Sequence, residues 1–106
     1  MIDYFMPEFN PHGKYYVKLV NYKEVPGFRH EGGSLILIES GILNMEYVDF
    51  LRMCRDVYHG ELIGKNWVYP SVQFKNEKDA WALCKLLNPI MDMYVKYRRE
   101  FKWKLY

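Results

Sequence analysis

Apolar residues recur at the spacing of an α-helix in two separate stretches of this chain, with short runs of strand-forming residues before and between them. Such a stretch buries only one face of its helix, so the two helices need a common core. A chain of 106 residues has room for one core, and we predict a single domain covering residues 1–106. The helical positions are Tyr47, Phe50, Leu51, Cys54 and Tyr58 in a helix that Asn44 caps and Gly60 ends, and Ala80, Leu83, Cys84 and Leu87 in a helix that Asn76 opens.

Three other segments predict β-strands. Residues 14–20 are rich in aromatic and β-branched types. Residues 35–38 are apolar on both faces, which is typical of a central strand, and a one-sided sheet with a bulge is the alternative. Residues 66–74 contain Pro70, which favours an edge strand or a bulge. The prolines and glycine of residues 1–13 predict an extended arm or a turn rather than a helix.

The C-terminal third allows two conformations. Asn88 followed by Pro89 predicts a kink or the start of a third helix, because Asn is a good N-cap and Pro is preferred at the first helical position. Residues 101–106 also alternate at strand period, so they form either the end of this helix or a last strand. The apolar stripe expected on the third helix consists of Ile90, Met93, Tyr94, Tyr97 and Phe101.

This order of elements predicts an α+β fold, with a small mixed or antiparallel sheet of three to four strands and two to three helices. Segment 72–87, a strand leading into a capped helix, resembles the strand-to-helix passage of ferredoxin-like and RNA-recognition-motif sheets. The resemblance covers about a sixth of the chain and makes a ferredoxin-like sandwich the leading arrangement. The aromatic ribonucleoprotein motifs of the RNA-recognition family are absent from the sequence.

Sequence patterns for catalysis, metals and cofactors are also absent. No pair of Cys or His residues has a metal-ligand spacing, and the glycine pair at 32–33 lacks the residues of a nucleotide loop. The close carboxylate pairs, Glu46 with Asp49 and Glu77 with Asp79, lie near helix starts, where acidic residues favour the helix dipole. We therefore expect a protein that is not an enzyme, with no catalytic residue, no metal and no cofactor.

The sequence also bears on where the protein acts. It shows no signal-peptide pattern, and its longest wholly apolar run, residues 35–38, is too short for a membrane span. Cys54 and Cys84 fall on apolar helix faces, which indicates reduced, buried thiols. We predict a cytoplasmic protein that does not associate with membranes.

One segment concentrates basic charge. Five Lys or Arg residues within 96–104 face only Glu100, giving this segment a charge of +4 and leaving −2 for the rest of a chain whose net charge is +2. Aromatic residues interleave with the cations, a combination suited to single-stranded nucleic acid. In the competing interpretation the rings belong to the core and the cations to a solvated helix face. The candidate nucleic-acid-binding residues are Lys96, Arg98, Arg99, Lys102, Trp103 and Lys104.

A protein partner is the other prediction. Aromatic residues make up 18% of the chain, more than one small core easily hides, and Tyr, Trp, Met and Arg are enriched in protein interfaces. The candidate partner-binding residues are Phe28, Arg29 and His30 in the long loop, and Trp67 and Tyr69 on the expected edge strand, which could also form a homodimer.

We favour protein binding over nucleic-acid binding because a +4 patch at one end is modest for gripping a phosphate backbone. The predicted function is that of a small protein that binds another protein and inhibits or modulates it, of the kind that viruses direct at host enzymes acting on nucleic acid. In that case acidic residues imitate a phosphate path, and the candidates are Asp49, Asp56 and Glu61.

Overall fold

Two small antiparallel sheets and one long helix organise the protein. The computed structural model describes residues 2–11, 13–63 and 71–104, with side chains through Arg98. A three-stranded sheet has the order β1-β2-β3, and β4 and β5 form a second, two-stranded sheet. The strands are β1 (Phe5–Phe9), β2 (Tyr15–Leu19), β3 (Gly32–Gly33), β4 (Glu61–Ile63) and β5 (Ser71–Gln73), and the helices are α1 (Ile36–Glu39), α2 (Tyr47–Asp56) and α3 (Glu77–Lys104), with a 3-10 turn at Tyr22–Glu24.

The predicted α+β class and the small antiparallel sheet are confirmed. The order of elements nevertheless departs from the β-α-β-β-α-β order of a ferredoxin-like sandwich, because three strands precede α1 and α2, and a strand pair separates these helices from α3. The resemblance of segment 72–87 therefore extends to a local strand-to-helix passage, from β5 into α3.

Within the extended arm predicted for residues 1–13, Phe5–Phe9 form a strand of the sheet. Strand β1 pairs with β2 along its whole length, with Phe5 opposite Leu19 and Pro7 opposite Val17. In an antiparallel pair both backbone polar groups of alternate residues point away from the partner. Phe5 is such a residue, because its N–H and C=O groups bond to a side chain of α3. Pro7 lies two positions later, so its backbone nitrogen and carbonyl also face away from β2. The missing N–H of Pro7 therefore costs the sheet nothing.

Residues 35–38 do not form the predicted central strand. After Gly33 the chain turns into α1, in which the N–H groups of Ile38 and Glu39 both donate to the carbonyl of Leu35. A run of four apolar residues is too short for periodicity to distinguish helix from strand. The edge of β2 that faces away from β1 pairs with β3 at Lys18 and Leu19. At its other end, Tyr15 and Phe74 exchange backbone hydrogen bonds of 2.8 and 2.7 Å.

Helix α2 confirms the prediction for 44–58, with Glu46 rather than Asn44 preceding its first residue. The strand predicted at 66–74 is present at β5, and residues 66–70 lie outside the described part of the chain. Strand β4, which pairs with β5 from Glu61 opposite Gln73 to Ile63 opposite Ser71, was not predicted.

Helix α3 is one continuous element of 28 residues with Pro89 inside it, so no third helix starts at Asn88. The Asn88 side chain is engaged elsewhere: its Oδ1 accepts a hydrogen bond from the Phe5 N–H at 2.7 Å, and its Nδ2 donates to the Phe5 carbonyl at 3.1 Å. The same helix continues through residues 101–104, which decides against a strand there, and residues 105 and 106 of that prediction lie outside the described part of the chain. The buried residues of sheet and helices, among them Phe5, Leu19, Phe50, Phe74 and Leu87, form one cluster.

Candidate functional site

The rotation of α3 about its axis decides which residues near its end are exposed. The helix buries Cys84, Leu87, Met91 and Val95 against the core. The stripe predicted for a third helix lies on another side of α3: Met93 is 71% exposed and Tyr97 is 59% exposed. The interpretation that the rings belong to the core is therefore wrong for Tyr97, whereas Tyr94 is half-buried and packs against the core.

The physical reason is the continuity of the helix at Pro89. A new helix starting at Asn88 could rotate to turn residues 90, 93, 94 and 97 toward the core. In a continuous helix, the face that buries Cys84 and Leu87 also determines which later residues face the core. At about 100° per residue, these later residues are Met91 and Val95. The Asn88 amide helps to set this rotation of α3 about its axis, because its two hydrogen bonds to Phe5 hold one side of the helix against β1.

Past Val95 the helix leaves the core. Lys96, Tyr97 and Arg98 are consecutive exposed residues, and three consecutive positions span most of the circumference of a helix. The row that is buried at residues 91 and 95 continues at Arg98, a residue that a core does not accommodate without a partner. With 28 residues, α3 is about 42 Å long, comparable to the 47 Å longest dimension of the molecule.

These features define an exposed stripe on α3, formed by Ile90, Met93, Tyr94 and Tyr97. Ile90 and Tyr94 are half-buried, and Tyr94 also packs against the core. The stripe thus begins at the edge of the core and continues along the part of α3 that is solvated. Its members are separated by the i, i+3, i+4 and i+7 spacing of one helix face.

Cations flank the exposed stripe. Lys96 is ion-paired with Asp92 at 3.0 Å, and Arg98 makes no ion pair within the described residues. Lys96 and Arg98 belong to the six predicted nucleic-acid-binding residues, and both side chains are exposed. The other four predicted residues belong to α3, but their side chains are outside the described part of the chain. They are Arg99, Lys102, Trp103 and Lys104.

The predicted loop and edge-strand site is only partly described. Phe28 is half-buried and packs against the core, whereas Arg29 and His30 are exposed. Trp67 and Tyr69 lie outside the described residues. Among the described strands, the outer edge of β1 is a poor template for pairing with a second copy, because Asn88 covers Phe5 and Pro7 lacks a donor.

The three acidic candidates are distributed over α2 and β4. Asp49 is exposed on α2, and Asp56 is paired with Arg55 at 2.8 Å. Glu61 binds Lys14 at 2.6 Å and Lys75 at 3.4 Å, and the hydrogen bond from Lys14 is the main cause that lowers its carboxyl pKa. Two of the three carboxylates are thus already neutralised by neighbouring cations.

A cleft of about 70 Å³ lies beside β2, between β3 and β5, and is lined by Val17, Ser34 and Ser71 among others. This volume suits a few water molecules rather than a substrate. Within residues 2–11, 13–63 and 71–104, no three His, Cys, Asp or Glu side chains are placed to hold a metal ion. In the same residues, no helix combines the length and the apolar character that crossing a membrane requires.

Both cysteines are buried free thiols. Burial raises the pKa of Cys54 to about 12, and burial together with the nearby charge of Asp3 raises the pKa of Cys84 to about 12. A nucleophilic thiol needs a lowered pKa, so neither residue is arranged for covalent chemistry. The predicted burial of the two thiols is confirmed.

A comparison of this chain with protein-family models, curated proteins and solved structures finds no match.

Proposed function

We propose that this protein works without catalysis, by binding another protein through the exposed stripe of α3 and thereby modulating that partner. The observation that carries the proposal is the exposure of Met93 and Tyr97, 71% and 59%, on a helix that extends beyond its own core. Large apolar side chains exposed side by side are typical of interaction surfaces. Tyr and Met are also residue types that interfaces favour.

The rest of the described chain supports a binding role in a reducing compartment such as the cytoplasm. Its two cysteine thiols are buried and protonated. The stripe on α3 replaces the loop of Phe28, Arg29 and His30 as the leading surface, because Phe28 is partly used by the core.

Site-specific photo-crosslinking tests the proposal. The photo-reactive residue p-benzoylphenylalanine is placed at Tyr97 in one variant and at Val57 in a matched control, since Val57 is 61% exposed but lies just after α2. We expect a discrete protein adduct from position 97 that Met93→Glu removes, and none from position 57. Equal labelling from both positions contradicts the proposal.

The second candidate function is binding of single-stranded nucleic acid. The observation that favours it is the exposed Tyr97 ring with Lys96 and Arg98 as its immediate neighbours, a combination of stacking surface and cations. Fluorescence anisotropy of labelled single-stranded and duplex oligonucleotides, at low and at physiological salt, separates the two functions. Binding that weakens steeply with salt and is lost in Arg98→Glu favours nucleic acid, and flat traces at both salts exclude it.

A further inference from the structure

We infer that the partner's binding site is an apolar groove between helices whose rim carries carboxylates where it meets the C-terminal end of α3, an inference that rests on the proposed function. The first argument is the spacing of the anchors. Ile90, Met93, Tyr94 and Tyr97 stand at i, i+3, i+4 and i+7, the pattern by which an amphipathic helix lies in a groove. Their Cα atoms extend over about 11 Å of helix, which sets the minimum length of the groove.

The second argument is the placement of charge along α3. From Glu77 through Lys96, three acidic and three basic residues give a net charge of zero. From residue 97 to residue 104, four basic residues face only Glu100, which leaves a charge of +3. The exposed stripe therefore runs into a cationic helix end, and a partner surface that follows the stripe meets that charge.

The third argument is the position of the cations around the helix. At about 100° per residue, Lys96 and Arg98 lie on opposite sides of the row through Tyr97. Asp92, which pairs with Lys96 at 3.0 Å, lies on the side of Lys96 that is turned away from this row. Lys96 is thus already neutralised by Asp92, whereas Arg98 makes no ion pair within the described residues, so Arg98 is the cation that a carboxylate on the rim of the groove would meet.

The same geometry weighs against the other anionic surfaces. A nucleic-acid strand that stacks on Tyr97 follows one of the two neighbouring cations at a time, because Lys96 and Arg98 lie about 200° apart around the helix when counted through Tyr97. A membrane surface requires a wide apolar face, whereas this stripe is about 100° wide and half of its four members are tyrosines with polar hydroxyl groups. A groove accepts the narrow stripe and brings its rim close to Arg98.

The test uses the full chain and a matched pair of designed helical hairpins. Each hairpin presents the same groove lined by Leu and Met, and its rims carry Glu in one hairpin and Gln in the other. We expect the chain to bind the Glu-rimmed hairpin about tenfold more tightly, with the difference shrinking as salt rises. Arg98→Gln is expected to reduce that preference, whereas Lys78→Gln, an exposed change at the neutral end of α3, leaves it unchanged.

Each outcome separates this inference from the proposed function. Equal affinity for the two hairpins overturns the acidic rims but leaves protein docking intact, provided that Tyr97→Glu weakens both complexes. Binding to neither hairpin, with a crosslinked adduct still formed at position 97, overturns the groove and keeps the proposed function. Tighter binding to vesicles of phosphatidylserine and phosphatidylcholine, or to a single-stranded oligonucleotide, overturns the inference in favour of that surface.

Discussion

The side-chain amide of Asn88 occupies the place that a neighbouring strand would take beside Phe5. Its oxygen accepts the Phe5 N–H at 2.7 Å and its nitrogen donates to the Phe5 carbonyl at 3.1 Å, so both outward backbone groups of that residue are satisfied. Asn88 itself is only 5% exposed. One residue thus joins β1 to α3 and fixes which face of the helix meets the sheet.

Replacing the Asn88 side chain tests how much this contact between β1 and α3 stabilises the fold. Asn88→Ala leaves the buried N–H and C=O of Phe5 without partners, and we expect the free energy of unfolding to fall by about 2 kcal/mol. Urea denaturation followed by circular dichroism measures the change. Asn44→Ala, at an exposed position before α2, is the control and is expected to stay within about 0.5 kcal/mol of wild type. An unchanged midpoint for Asn88→Ala would show that the amide is dispensable.

The rotation of α3 about its axis predicts opposite effects on stability for substitutions at two nearby positions, Val95 and Tyr97. Val95 is 2% exposed, so Val95→Ala is expected to cost about 2 kcal/mol of stability through lost burial and a small cavity. Tyr97→Ala, two residues later and 59% exposed, is expected to change stability by about 0.5 kcal/mol or less. Thermal denaturation compares the two variants. A large loss for Tyr97→Ala with none for Val95→Ala would mean that the helix is rotated relative to this structure.

Gly60 is required for space rather than for a left-handed backbone. The residue with positive φ after α2 is His59, at 60°, and a Cβ on Gly60 would meet Val72 Cγ1 at 2.8 Å and Phe74 Cε1 at 3.1 Å. We expect Gly60→Ala to lower the free energy of unfolding by about 1–3 kcal/mol. Gly33→Ala is the control in denaturant titrations, because nothing lies within 4 Å of its Cβ position. Equal stability of both variants would contradict the close packing.

The buried thiols predict a dependence of stability on pH. Folding raises the pKa of Cys54 and of Cys84 from 9.0 to about 12, so the folded state holds these protons more tightly than the unfolded chain does. Stability is therefore unaffected by the thiols below pH 9 and falls as pH rises from 9 toward 12. Denaturation midpoints at a series of alkaline pH values measure this effect.

The same two thiols allow a second measurement. A thiol reagent at pH 8 is expected to react slowly with native protein and rapidly after addition of denaturant, because the thiolate is the reactive form. Fast reaction of either cysteine in the native state would show that its burial is transient.

Pro89 offers a test of the continuous helix. A proline inside a helix removes one backbone hydrogen bond and costs about 3 kcal/mol relative to alanine. Since Pro89 is exposed and α3 continues through it, Pro89→Ala is expected to raise the melting temperature. A lower melting temperature would indicate that the ring itself is needed for the path of α3.

The helices were the most predictable part of the fold. The apolar spacing of α2 and of the first half of α3 led to the right buried residues, because a helix with one apolar stripe has one way to bury it. The short elements were the least predictable. Residues 35–38 are all apolar and so show neither helix nor strand periodicity, and the prolines near β1 predicted an extended arm without indicating that it pairs with β2.

The candidate site was predictable in composition and not in exposure. The sequence places cations and aromatic residues together in 94–106, and it leaves open whether those rings are buried. The structure decides this for Tyr97 through contacts far away in the chain, at Phe5 with Asn88 and at the core around Cys84. A local spacing rule cannot include such contacts, since it treats each helix as free to rotate.

By itself, the sequence determined the α+β class, the two amphipathic helices and the basic, aromatic end of the chain, because these depend on residue type and spacing along a few turns. The tertiary structure alone decided that the first residues complete the sheet and that α3 passes through Pro89 without a break. It also decided that Met93 and Tyr97 face solvent. The physical reason is that backbone hydrogen bonds and burial join residues as distant as Phe5 and Asn88, and these joined contacts set the rotation of α3.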